Sequence, residues 1–156
     1  MFSRIILALA LASLPLTTAS AEDTKPPYWA AFKSGLVNMR VGPGEDYRIN
    51  WVYHRQFLPM KVLRTMQGWW LVEDPEGARG WVLAQFMTKR RSAMVQGKQL
   101  AEMRQSADSS SRLLWRLEPG VVAKLGECSD AWCEVELDGN RLGWVRADQL
   151  WGAGKL

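Results

Sequence analysis

One histidine and two cysteines are all this chain offers toward nucleophilic or metal-assisted chemistry. A thiol or hydroxyl nucleophile needs a histidine base, usually oriented by a third group. His54 is the sole imidazole, and no Gly-x-Ser-x-Gly stretch presents a serine to it. Metal would need more ligands than a lone histidine and two cysteines distant from it. Paired carboxylates for glycoside cleavage are not excluded by count, since Asp and Glu total 16. The expectation is a protein that is not an enzyme and uses no cofactor and no metal.

Long apolar runs are scarce as well. The most apolar stretch opens the chain, where Met1–Arg4 carries one positive charge and Ile5–Leu14 carries none. A membrane crossing takes about 20 apolar residues, roughly twice that length. Ala19-Ser20-Ala21 places small residues where a signal peptidase reads them, so residues 1–21 read as a cleaved secretory signal peptide. No cysteine follows for lipid attachment and no arginine pair precedes the apolar run, which favours general secretion. The mature chain is expected to be soluble, periplasmic or secreted, with no membrane span after signal cleavage.

Charge of one sign is also in short supply. The formal net charge is +4, and loss of Arg4 with the signal leaves +3. Such a charge aids solubility and gives mild attraction to anionic surfaces, but with export it argues against nucleic acid as a partner. Cys128 and Cys133 are near neighbours, and in an oxidising compartment such a pair more often forms a disulfide than a metal site. Their spacing is not Cys-x-x-Cys, so the pair reads as a staple and not a redox centre.

What the chain does have is a repeat. Met39-Arg40 recurs as Met103-Arg104 and Trp51 as Trp115, offset by 64. After a one-residue deletion the offset is 63: Trp69 matches Trp132, Val72 matches Val135, and Gly80-Trp81-Val82 matches Gly143-Trp144-Val145. Three tryptophans in register with a Gly-Trp-Val triplet define two units, Tyr28–Thr88 and Ser92–Trp151. Each has about 60 residues, a size that folds alone but marginally.

Within each unit, short extended segments alternate with turn signals. In the first, Val37–Val41, Met60–Thr65, Trp69–Glu73 and Arg79–Leu83 read as strands, separated by Gly42-Pro43-Gly44, Gln67-Gly68 and Asp74-Pro75-Glu76-Gly77. In the second, Asp138-Gly139 lies between Trp132–Leu137 and Arg141–Val145, a strong hairpin signal because Asp-Gly tolerates positive φ. No segment past the signal carries a capped helical period. The fold class is all-β, a small barrel or sandwich in two copies. Between the units lie Lys89-Arg90-Arg91, a linker too short for independent tumbling. Unit one nets +2 and unit two −2. The linker therefore reads either as a solvated connector that partly neutralises unit two, or as a basic contact site for a partner or anionic envelope polymer.

Asn38-Met39-Arg40-Val41-Gly42-Pro43-Gly44-Glu45-Asp46-Tyr47 resembles the opening of a bacterial SH3-like (SH3b) domain. The resemblance continues through Gly68-Trp69-Trp70-Leu71-Val72, Gly80-Trp81-Val82 and the turn Leu83-Ala84-Gln85-Phe86. The second unit keeps Trp132-Cys133-Glu134-Val135, Gly143-Trp144-Val145 and Asp148-Gln149-Leu150, but has Ser106-Ala107-Asp108 in place of Gly-Pro-Gly. Glu118-Pro119-Gly120 keeps a turn glycine where unit one has Gln56. The resemblance implies two tandem SH3-like antiparallel β-barrels and a role in extracytoplasmic binding, often of cell-wall material or protein partners. Cell-wall cysteine peptidases often carry such modules, yet two barrels of this size leave no chain for a deep catalytic cleft.

Nine tryptophans remain to be placed. Matched aromatics in small repeats ordinarily serve as core or rim packing. Strand residues alternate faces, so Trp69 and Trp70 cannot both point inward, and one must lie outside or beneath a loop. The candidate ligand-binding residues are Tyr47, Trp51 and Trp69, as an aromatic groove for an extended peptide or a sugar ring. Tyr53 aligns with Leu117, which points to the core. Arg40 and Arg104 read as structural partners of a loop carbonyl or carboxylate. The functional expectation is a non-catalytic envelope protein that recognises peptidoglycan or its peptides. The alternative is an adaptor docking an envelope enzyme or transporter; neither reading fixes an oligomeric state.

Overall fold

Residues 25–129 and 131–156 are described by the computed structural model, so the expected signal peptide lies outside the described residues. The first unit contains β1 (Tyr28–Phe32), β2 (Val37–Arg40), β3 (Ile49–Tyr53), β4 (Pro59–Met66), β5 (Trp69–Glu73), β6 (Arg79–Leu83) and β7 (Met87–Thr88), with a 3₁₀ turn at Ala84–Phe86. The second contains β8 (Ser92–Val95), β9 (Ala101–Arg104), β10 (Leu113–Leu117), β11 (Val122–Cys128), β12 (Trp132–Leu137), β13 (Arg141–Arg146) and β14 (Leu150–Trp151), with a 3₁₀ turn at Ala147–Gln149. The first sheet runs β3-β2-β6-β5-β4-β1-β7 and the second β10-β9-β13-β12-β11-β8-β14, the same order twice. In the first unit sequence patterning missed β1, β3 and β7, and in the second it named only β12 and β13. β1 lies between β4 and β7 and shows no in–out alternation at its buried end, a bulge interrupts the pairing of β3, and β7 is only two residues long.

The hairpins follow turn chemistry. Gln67 and Gly68, between the paired Met66 and Trp69, take φ of 49° and 82°, the two positive values a tight primed turn requires. In unit two the positive φ angles fall on Gly139 and Asn140, one residue later than the Asp-Gly signal placed them. Gly120 matches Phe57 and not Gln56: Phe57 N donates to Phe32 O as Gly120 N donates to Val95 O, and both take positive φ.

The two cores correspond position by position. Phe32, Val37, Met39, Met60, Val72, Val82 and Met87 fill the first. Val95, Ala101, Met103, Ala123, Val135, Val145 and Leu150 fill the second. Three of these exchanges shrink the side chain: Phe32 to Val95, Val37 to Ala101 and Met60 to Ala123. Unit two thus has less apolar surface to bury, and it carries the Cys128–Cys133 disulfide across directly paired positions of β11 and β12. The equivalent pair in unit one is Thr65 and Trp70. Closing so short a loop is worth about 2 kcal/mol by loop entropy. The expected result for Cys128→Ala/Cys133→Ala is a loss of about that size, with amide hydrogen-exchange protection falling in β11 and β12 before β4 and β5. Equal loss in both units would overturn it.

The first loops coincide despite their different residues. Val41 N–Arg48 O, Gly44 N–Gly42 O and Tyr47 N–Gly44 O recur as Gln105 N–Arg112 O, Asp108 N–Ser106 O and Ser111 N–Asp108 O. Asp108 and Ser111 side chains brace the second loop, with Ser110 N donating to Asp108 Oδ1 at 2.7 Å. Arg40 donates to Tyr47 O and Arg104 to Ser111 O, each at 2.6 Å. The repeated arginine therefore ties a strand to the carbonyl of its own loop.

The units are joined by side chains as well as by the linker. Met94 and Val122 of unit two pack on the core of unit one. Trp29 and Trp151 meet edge to face at 4.6 Å. Trp29 Nε1 donates to Gly154 O at 2.6 Å, and Arg55 donates to Gly120 O at 2.7 Å. Gly152, at φ +100°, lies where a Cβ would come within 2.6 Å of Ser92 O and 3.1 Å of Pro59 Cβ. A side chain there would separate β8 from β4.

Candidate functional site

The joint between the units leaves a cleft of about 650 Å³. One wall comes from the end of β3 and the residues after it (Trp51 to Arg55) and from the β5–β6 turn (Asp74 to Glu76); the other comes from Met94–Gly97 and Pro119-Gly120 of unit two. β3 is an edge strand, so its side chains run past the covered core. That is why Trp51, opposite the buried Met39, is 52% exposed, and Val52 beside it is exposed too. The Arg55–Gly120 hydrogen bond links the two walls.

Beneath this surface lies a polar device. Asp74 is only 6% exposed. Its Oδ1 accepts from Glu76 N at 3.0 Å and Ala78 N at 2.8 Å, which shapes the turn. Its Oδ2 accepts from the Tyr53 hydroxyl at 2.8 Å. Burial, and then the Asp74 carboxylate, push the Tyr53 phenol far above its ordinary range. The Tyr53 ring also packs on Phe32 at 5.1 Å between centroids, so Tyr53 serves both the core and the cleft. In unit two the matching positions are Leu117 and Leu137, an apolar pair. Pattern reasoning had no signal for Asp74 beyond its place in a turn.

The three residues singled out from the sequence do not share one cavity. Trp51 lines the cleft, and Tyr47 and Trp69 do not. Tyr47 is 49% exposed, with its ring over Gly42 and Gly44, which leave room for it. Trp69 lies on the face of β5 opposite Trp70 and Val72, yet is only 8% exposed. Trp70 turns toward the core and meets Tyr28 edge-on at 5.7 Å. Trp132, the counterpart of Trp69, lines a smaller hollow of about 290 Å³ with Leu100, Glu102, Arg104, Ser109 and Arg146. There the charges largely cancel, since Arg104 pairs with Glu102 and Arg146 with Asp148.

Among the described residues no group of three or more His, Cys, Asp or Glu side chains is placed to hold a metal ion. No helix among them is long and apolar enough to cross a membrane. No curated protein matches the chain. Solved structures that resemble it include NlpC1 from Trichomonas vaginalis, at 10% identity and a TM-score of 0.37, covering 88% of this chain and 50% of that one. NlpC2 from the same organism gives 10% identity and 0.37, covering 83% and 49%. An NlpC/P60 family protein from Bacillus cereus gives 11% and 0.36, covering 79% and 55%. This chain thus spans about half the length of those proteins. The family described as bacterial SH3 domain matches twice, over residues 33–85 and 97–152. Two matched segments that fall on the two sheets, one in each, establish that the chain belongs to the bacterial SH3 domain family.

Proposed function

We propose that this is an exported, non-catalytic binding protein that recognises peptidoglycan or its peptides through the cleft between its two SH3 units. The observation that carries the reading is Trp51, an aromatic ring more than half exposed on the wall of a cleft of about 650 Å³. Aromatic faces provide large contact area at small entropic cost and suit both sugar rings and extended peptides. The Asp74–Tyr53 bond and the Arg55–Gly120 bond hold the walls in place before a ligand arrives, which lowers the ordering cost of binding. Family membership supports a binding role in the cell envelope.

The test is co-sedimentation of residues 22–156 with purified peptidoglycan, wild type against Trp51→Ala. Removing an exposed aromatic anchor is expected to weaken retention roughly tenfold or more, with circular dichroism unchanged. Absence of retention by the wild type across a range of salt would sink the wall-binding reading and leave an adaptor for an envelope protein.

A further inference from the structure

Beyond the cleft, a second pocket of about 470 Å³ opens where the linker meets the end of unit two. Its lining includes Tyr28, Trp29, Lys89, Arg91 and Lys155, and it contains no Asp or Glu side chain. Three cations thus converge on two aromatic walls, with Leu156 beside them and no acidic side chain in the lining. The ion pairs among the described residues join Arg79 to Glu73, Arg104 to Glu102, Lys124 to Glu136 and Arg146 to Asp148, and none involves these three cations.

Arg91 carries most of the argument. One of its terminal nitrogens donates to the carbonyls of Gly152 at 2.7 Å and Ala153 at 3.1 Å. Its Nε is buried and finds no acceptor among the described residues. Burial holds its pKa below the ordinary guanidinium value. A half-buried cation whose direct hydrogen-bond partners are carbonyls, with Glu134 and Glu136 in the adjoining hollow but not paired with it, gains from an anion that completes its shell. Lys89 holds its ammonium 5.7 Å from the centre of the Tyr28 ring, at the pocket's edge. Low-dielectric walls lined by one sign of charge focus the field on what enters.

The linker thereby divides its labour. Arg90 lies in a neighbouring hollow with Glu134 and Glu136 of the acidic second unit, while Lys89 faces the junction pocket and Arg91 borders both. We infer that the junction pocket is a binding site for a phosphate ester, held by Lys89, Arg91 and Lys155 and independent of the aromatic cleft. Phosphate fits because it presents several acceptor oxygens to donors converging from different directions, and charge-assisted bonds to it are about twice as strong as neutral ones.

The same chemistry comes from a soluble sugar phosphate or a phospholipid head group, and two arms distinguish them. Calorimetric titration with glucose 1-phosphate is compared with glucose. Flotation with phosphatidylglycerol–phosphatidylcholine vesicles is compared with phosphatidylcholine alone. The expected result is binding of at least one anionic probe and not its neutral counterpart, weakening as salt rises. Binding should drop roughly tenfold or more in Lys89→Gln/Lys155→Gln, as loss of two charge-assisted contacts implies. Both lysines are exposed, so the fold is expected to persist. The inference is overturned if neither anionic probe binds at low salt, or if the double variant binds as the wild type does. Peptidoglycan retention through Trp51 is read separately on the same variant and should not change, so the two proposals fail independently.

Discussion

Gly80→Ala is expected to lower the thermal midpoint of unit one by roughly 10–20 °C, the consequence of about 2–3 kcal/mol of overpacking in a domain this small. A Cβ on Gly80 would lie 2.5 Å from Met39 Cγ and 2.8 Å from the Arg40 carbonyl oxygen. Met39 is fully buried between neighbours and has nowhere to swing. The carbonyl belongs to β2, which pairs with β6 at Arg40 and Trp81, so it cannot retreat without opening the sheet. Unit two repeats the constraint, with a Cβ on Gly143 placed 2.8 Å from Met103 Cγ and 2.9 Å from Arg104 O. The matched control is Gly35→Ala, where the new methyl meets nothing within 4 Å and φ is ordinary. Differential scanning calorimetry of both variants decides the matter. Equal midpoints would mean that the sheet relaxes freely and that close approach does not account for the repeated glycine.

That glycine shows what the sequence makes legible and what it does not. Gly-Trp-Val recurring at a fixed offset revealed the repeat, because insertions between units do not disturb spacing inside a hairpin. The reason for the glycine is a contact between β2 and β6, about 40 residues apart in the chain, and no local pattern carries it. Strands bounded by Gly or Asp-Pro turns were visible for the same local reason. The edge strand β3 was not, and with it went the explanation for Trp51, whose exposure depends on its place at the margin of the sheet. Tyr47, Trp51 and Trp69 were read as one aromatic groove, but only Trp51 of the three lines the cleft. The cleft itself was hidden because it forms between the two units and its polar pair is not shared by the repeat. Tyr53 and Asp74 face Leu117 and Leu137 in the alignment of the units, so a search for matched positions discards them.

The same mismatch yields the second large effect. Asp74→Ala removes the acceptor for the Tyr53 hydroxyl and for the backbone N–H groups of Glu76 and Ala78. Leaving buried donors unpaired is expected to cost about 3 kcal/mol, a fall in midpoint of roughly 15 °C. Tyr53→Phe keeps the ring against Phe32 and loses one bond, for about 1 kcal/mol. The informative variant is Tyr53→Leu/Asp74→Leu, which installs the pair that unit two already accommodates at Leu117 and Leu137. Its loss should be smaller than the sum of the single Leu substitutions, with a coupling of about 1–2 kcal/mol in a double-mutant cycle. Additive losses would mean that the two side chains act separately. If the polar pair is kept for the cleft and not for the fold, the double variant should stay folded and yet retain less peptidoglycan than the wild type. The phenol supplies an independent readout. The folded pKa of Tyr53 is raised, so above the unfolded value of about 10 the unfolded chain releases a proton that the folded one keeps. Folded protein then binds more protons, and its stability must fall as pH rises past that point. In Tyr53→Phe this alkaline loss should be reduced, whereas an unchanged slope in urea titrations between neutral and alkaline pH would show that the Tyr53–Asp74 bond contributes little to unit one.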